Sequence, residues 1–288
     1  MRIVYMKKIH WLSRAWDSDE IQFLSGLGFH IPNKYHQLGV PDDERYNRIC
    51  DSFAEKGVSL SDFISYEYTE EEILSAPYCL LSPWHSCGYP KPENSYELKT
   101  FDTVHMCPTC HVGRVQNNSY RVGKVSKHGF WGFFAWEWDV RFVSDAVYEQ
   151  VFSSYNIPRR HVNRASGPLL EGISQLEIPV TDESLDLFPY QYEICPDCGS
   201  KRYLPGEWSH HPFFPLHKHP LPGIYMTKEL FGQGWEVRHQ ILASADIVNK
   251  LLELKEIPLD RLLPCTQDIE QYWGAKSDYS INELRGRR

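Results

Sequence analysis

The sequence predicts an α+β protein in which a zinc-knuckle (zinc-ribbon-like) centre joins two related strand–helix–strand halves, with an additional N-terminal region. Two observations carry this expectation. The first is a pair of matching knuckles, Cys107-Pro108-Thr109-Cys110 and Cys195-Pro196-Asp197-Cys198-Gly199. Two residues between the thiolates let both sulfurs face one tetrahedral ion, and two such pairs complete a four-sulfur set that suits Zn2+. One CxxC alone is weak evidence, because redox pairs share the pattern. Two copies, each with proline second, put a shared ion ahead of separate redox pairs, disulfides or coincidence. A closed thiolate site leaves no open position for water, so its expected role is architectural.

The second observation is an internal repeat. Val143-Ser144-Asp145-Ala146-Val147, continuing through Val151-Phe152 to Ile157-Pro158, matches Ala243-Ser244-Ala245-Asp246-Ile247 through Leu251-Leu252 to Ile257-Pro258. The offset is constant, since 244 − 144 = 100 and 258 − 158 = 100. In each copy an apolar strand with a Trp near its start reaches a Ser placed to cap a helix. Apolar residues then fall 3, 7 and 8 positions after the Ser, and Ile-Pro stops the helix before a short extended return. Each copy lies downstream of one knuckle. The spacing predicts a module over 96–288, with half one at 96–180, half two at 181–265 and a tail at 266–288. Residues 1–95 form an N-terminal region to which no role is assigned.

Composition bounds the possibilities. The chain has 288 residues, nine Trp and seventeen Tyr, enough for a sizeable folded core. A net charge of −8 argues against a general nucleic-acid binder and suits a basic partner or simple solubility. No apolar run follows Met1–Lys8 as in a secretory signal, and the longest nearly apolar run, Gly129 to Trp136, is too short to span a bilayer. Cys50, Cys79, Cys87 and Cys265 then read as reduced thiols of a soluble cytoplasmic protein.

Along the N-terminal region, Tyr46, Ile49, Cys50 and Phe53 mark one face of a helix over Arg45–Lys56, closed by Gly57. Thr69 followed by three glutamates opens a short helix running to about Ala76. Residues 81–94 are rich in Ser, Pro, Gly and Asn and predict a loop, in which His85 and Cys87 are surface residues with metal or nucleophile roles as the alternative. Imperfect alternation predicts a strand over Tyr96–Met106 that delivers Cys107. Val112–Val115 and Tyr120–Val125 flank Asn117-Asn118 as a hairpin would. Phe130, Trp131, Phe133, Phe134, Trp136 and Trp138 are core packing in preference to a stacking platform.

Further on, Leu169 to Val180 predicts a strand running into a loop over 181–189. The His- and Pro-rich stretch 209–220 reads as an irregular loop, with a second metal site as the alternative. A last helix is expected around Ile269–Trp273, ahead of the basic tail ending at Arg288. The chain carries no HExxH, P-loop, GxSxG or GxGxxG signature.

The order of features resembles the double-CxxCG motif family of bacterial immunity-type proteins, of the kind found in myxobacterial swarming-inhibition toxin–immunity pairs. The resemblance rests on Cys107–Cys110, Trp136–Tyr155, Leu169-Leu170-Glu171 to Ile178-Pro179, Cys195–Gly199, Leu230-Phe231, and Ile241 to Leu254. It covers about the last two thirds of the chain. The first knuckle departs from it, with His111 where the family has Gly. His tolerates the positive φ of a knuckle better than β-branched residues do, and it becomes a fifth candidate ligand. The resemblance implies a non-enzymatic immunity protein that neutralises a cognate toxin, with structural Zn2+ on Cys107, Cys110, Cys195 and Cys198. Loops at 81–94 and 205–222 would then supply specificity. The alternative is a zinc-ribbon protein that binds nucleic acid or is a metal-dependent enzyme. A basic face for it would draw on Arg114, Arg121, Lys124 and Lys127, with Lys201 and Arg202 after the second knuckle.

Overall fold

The computed structural model describes residues 7–82, 85–86, 88–133, 136–185, 187, 192–204, 214–215 and 222–266. Cys87, Phe134, most of the His- and Pro-rich stretch and the helix expected at 269–273 with its tail lie outside these residues. The chain divides into two compact units between Thr69 and Glu70.

In the first unit the strand Lys7–Ser13 is central, flanked antiparallel by Leu38–Pro41 and Ser61–Glu67. The helix Ser18–Gly26 begins with a capping box. Asp17 accepts from the Glu20 amide, and Glu20 reaches back to the Asp17 amide. The second helix, Glu44–Glu55, is capped by Asp43 and ends at Gly57, whose φ is +66°. Its apolar face is the expected one, with Ile49 and Phe53 buried and Tyr46 packed beside them. Leu12, Trp16, Leu24 and Val40 complete this core.

The second unit holds two five-stranded sheets. The first runs in the order Arg121–Val122, Arg159–Arg164, Leu169–Leu176, Glu137–Ser144, Phe130–Phe133. The second runs Phe214–Pro215, Leu262–Thr266, Tyr78–Leu81, Ile241–Ser244, Ile224–Met226. Both repeat one pattern of senses: the first pair is parallel and the remaining three are antiparallel. In each sheet the two strands of a strand–helix–strand segment flank one intervening strand. That strand follows the segment in the first sheet, whereas in the second it comes from far upstream, as Tyr78–Leu81. All four of its residues are buried, the mark of a strand covered on both faces.

Both helices start directly after their serines. The first passes from Asp145–Val147 through a widened π turn at Tyr148–Phe152 to a tight turn ending at Asn156, φ +54°. The second is a regular helix, Ala245–Glu253. Val147, Val151 and Phe152 are buried in the first, Ile247 and Leu251 in the second, at the expected positions. The helices meet where the Tyr155 hydroxyl donates to the Asp246 carboxylate. Ser144 caps its helix by accepting from the Val147 amide at 3.3 Å. Ser244 does not. Its hydroxyl accepts from the Gly223 amide at 3.0 Å and binds Asp246, so the second serine joins two strands.

Two local expectations are corrected. Tyr96–Thr100 is a helix, and only Phe101–Asp102 is extended before the knuckle. Its buried residues, Tyr96 and Thr100, are four apart, which is a helical spacing. Around Asn117-Asn118 there is a turn but no hairpin. Val115–Gln116 pairs back with Phe101–Asp102, while Arg121–Val122 joins the first large sheet. The amides of Asn117 and Asn118 both donate to the Thr100 carbonyl, so this turn closes the preceding helix.

Candidate metal centre

The two knuckles have the same backbone. In the first, the Cys107 amide donates to the Val112 carbonyl at 2.8 Å and the His111 amide to the Cys107 carbonyl at 2.9 Å. In the second, the Cys195 amide donates to Ser200 and the Gly199 amide to Cys195, both at 2.9 Å. His111 takes φ +59° where Gly199 takes +73°, so the histidine occupies the left-handed position that the second knuckle gives to glycine. A two-residue ladder flanks the first knuckle, and Tyr192–Ile194 paired with Lys201–Tyr203 flanks the second.

These frames bring the sulfurs together. Cys107 Sγ lies 3.6 Å from Cys195 Sγ and Cys110 Sγ lies 3.5 Å from Cys198 Sγ, with all four within 4.8 Å of one another. The partners are 88 positions apart in both pairs, as are Thr109 and Asp197, whose side chains also hydrogen-bond. A disulfide needs sulfurs about 2 Å apart, so these are four separate thiols. Tetrahedral thiolates on an ion with bonds of about 2.3 Å sit about 3.8 Å from each other, close to what the knuckles present. The donor set and its spacing therefore fit one metal ion. Val112, Leu230 and Val237 pack around it.

The ligands differ in surroundings. Cys107, Cys110 and Cys195 are buried and Cys198 is exposed. As free thiols, burial pushes Cys110 up to about 12, while the Ser200 hydroxyl and amide beside Cys198 bring it down to about 6. His111 is not gathered with the sulfurs: its Nδ1 sits 2.8 Å from Glu97 Oε1.

The other flagged residues fall elsewhere. Arg114 is held by Glu97 and Glu137, and the Arg202 side chain is 7% exposed and paired with Glu193. Two of the six cations of the supposed basic face are thus committed internally. Phe130 and Trp131 are fully buried, Trp131 stacking on Phe142 at 4.6 Å, which makes them core. His85 packs against the His128 ring, and burial holds it below its ordinary range.

Sequence reasoning missed a buried ion network beside the knuckles. Glu137 is 0% exposed, accepts two bonds from Arg114 at 2.9 and 2.5 Å and one from the Tyr96 hydroxyl at 2.8 Å, and lies 3.4 Å from Arg238 Nε. Arg238 also donates to the carbonyls of Trp235, Val237 and Trp136. Arg141 does the same with Trp138, Val140 and Leu81. A signal existed: Trp-acid-Val-Arg occurs at 138–141 and again at 235–238.

Fold and centre together define an α+β chain whose second unit is tied by a four-cysteine cluster able to hold a metal ion. No family model matches the chain, and neither a curated protein nor a solved structure does. Among the described residues no helix is long and apolar enough to cross a membrane.

Proposed function

We propose that this chain is a cytoplasmic immunity protein that binds and neutralises a cognate bacterial toxin, built on two related halves that share one structural Zn2+. The observation that supports it best is the pairing of Cys107 with Cys195 and Cys110 with Cys198, the double-CxxC plan on which the family resemblance rests. The matching strand orders of the two five-stranded sheets support a duplicated ancestor for those halves. Bound zinc would act as a cross-link between chain segments distant in sequence, and its four thiolates would leave it no catalytic position. The nucleic-acid alternative is weakened because Arg114 and Arg202 are held in internal ion pairs.

The direct test pairs this gene with the toxin candidate encoded beside it. Co-expression should rescue the host from toxicity, and the two proteins should co-purify as a stable complex. Toxicity undiminished by this protein, with no complex formed, would sink the reading. Elemental analysis should return one zinc per chain; knuckles that keep their frame without metal would remove the structural role.

A further inference from the structure

Three cations of the supposed basic face, Arg121, Lys124 and Lys127, stay uncommitted. Arg114 and Arg202 are held in internal ion pairs, and Lys201 lies over the rings of Tyr192 and Tyr203. The three are joined by others within the second unit. Val122 pairs with Arg164 across a parallel ladder, which sets Arg164 beside the Arg121 strand. The Lys91 amide donates to the Arg121 carbonyl at 2.8 Å, and the Lys91 side chain runs over Gly123. At the far end of the same segment the rings of His85 and His128 are 5.2 Å apart. The 81–94 loop, one of the two expected to supply specificity, is therefore laid along the 121–128 segment.

Counter-charge is scarce there. Among the described residues Arg121, Lys124, Lys127 and Arg164 have no ion-pair partner, and Lys91 has Glu93. Lys124, Lys127 and Arg164 are exposed. His85 registers the resulting field: burial first, then the charges of His128, Lys127 and Lys124, hold it below its ordinary range. No carboxylate offsets them at that ring.

We propose that this face, formed by the 81–94 and 121–128 segments with Arg164, docks an acidic surface of the partner protein. The inference rests on the toxin reading and names the chemistry of the toxin's contact surface. It reverses the expectation drawn from net charge, because the whole chain is acidic and this face is not. Complementary charge of this kind speeds encounter and rejects wrong partners. A nucleic acid fits less well. Its phosphates continue past the cations and meet the repulsion of a chain with net charge −8, whereas an acidic patch on a folded protein ends where the cations end.

The probe is the toxin candidate encoded beside this gene, titrated with the metal-loaded full chain. Reversing two charges together, Lys124→Glu with Lys127→Glu, should weaken the complex at least tenfold while metal content and Tm stay unchanged. Arg164→Glu should weaken it in the same direction. Added NaCl should weaken the parent complex, and the doubly reversed variant should lose most of that salt dependence. Lys34→Glu, on the first unit, controls for charge alone and should bind as the parent does. A complex untouched by the reversals, or weakened equally by Lys34→Glu, would overturn the docking face and leave the toxin reading standing. No complex with the parent would remove both. Tight, salt-steep binding of single-stranded oligothymidylate, lost in the doubly reversed variant, would overturn the assignment by giving the face to phosphates.

Discussion

Cys110 is enclosed and Glu137 is enclosed, but they are stable for opposite reasons. The thiol is neutral on its own and needs a cation to become a ligand, whereas the carboxylate already has its cations. Cys110→Ser should therefore leave no stoichiometric metal by elemental analysis, because one hard oxygen replaces a buried soft donor. Glu137→Gln should cost about 3–5 kcal/mol in denaturant titration, since it takes the carboxylate from the buried Arg238 guanidinium and leaves Arg114 with Glu97 alone. Glu97→Gln, at a pair part-open to water, should cost under about 1 kcal/mol. Glu229 gives the pH signature. Burial raises its pKa; Oε1 accepts from the Leu185 amide, and buried Oε2 has no close hydrogen-bond donor among the described residues. A raised folded pKa means that the protonated form suits the fold. Its contribution is full below the unfolded pKa and disappears as pH rises through the folded value. Glu229→Gln mimics the protonated form, so it should be more stable than the parent near pH 7, by about 1 kcal/mol. That gain should shrink as Tm is followed down to pH 4; a gain independent of pH would contradict the account.

At the scale of elements, the two serines that look alike in sequence should respond differently to substitution. Ser144→Ala removes a helix cap and should cost about 1 kcal/mol, and Ser144→Asp, another good cap, should restore most of it. Ser244→Ala leaves the Gly223 amide without its partner inside the sheet, at about 1–3 kcal/mol, and Ser244→Asp should not rescue it because the site is 3% exposed. Thermal melts of the four variants would decide this, and equal rescue at both sites would remove the distinction. The same pair shows what sequence made legible. Knuckles, the serine-to-helix starts and the buried positions 3 and 7 of both helices were readable because each is a local spacing. The Tyr78–Leu81 strand was not readable, since its partners Ile241–Ser244 and Leu262–Thr266 lie more than 150 residues later and only they identify it as central. Tyr96–Thr100 misread as a strand because five residues are too few to separate period two from period four. The Glu137 network is assembled from segments that nothing local connects.

On the scale of the whole molecule, the clusters of buried side chains are unequal, and this decides how metal loss should spread. The first unit has a cluster of nine buried residues, from Leu12 to Phe53. Within the second unit, the two large sheets each have a cluster of eight, one around Tyr78 and Phe231 and the other around Tyr120 and Phe142. The knuckles have four, and three of those are the cysteines themselves. So small a group cannot offset the conformational entropy of two loops, and a metal ion bound by the four thiolates would substitute for the missing core. Removing it should melt the knuckles and little else. Hydrogen exchange on the full chain, before and after chelation, reads this directly. The amides of Cys107, His111, Cys195 and Gly199, each bonded within its knuckle, should exchange freely once metal is gone. Those of Ile9–Leu12 in the first unit should stay protected, as should Leu80, Val143, Gln175 and Leu242 in the sheets of the second. If the sheet amides of the second unit open together with the knuckles, the ion sustains that whole unit and the sheets do not stand on their own clusters. If knuckle amides stay protected without metal, the four thiols hold their frame unaided and the centre has no structural need of an ion.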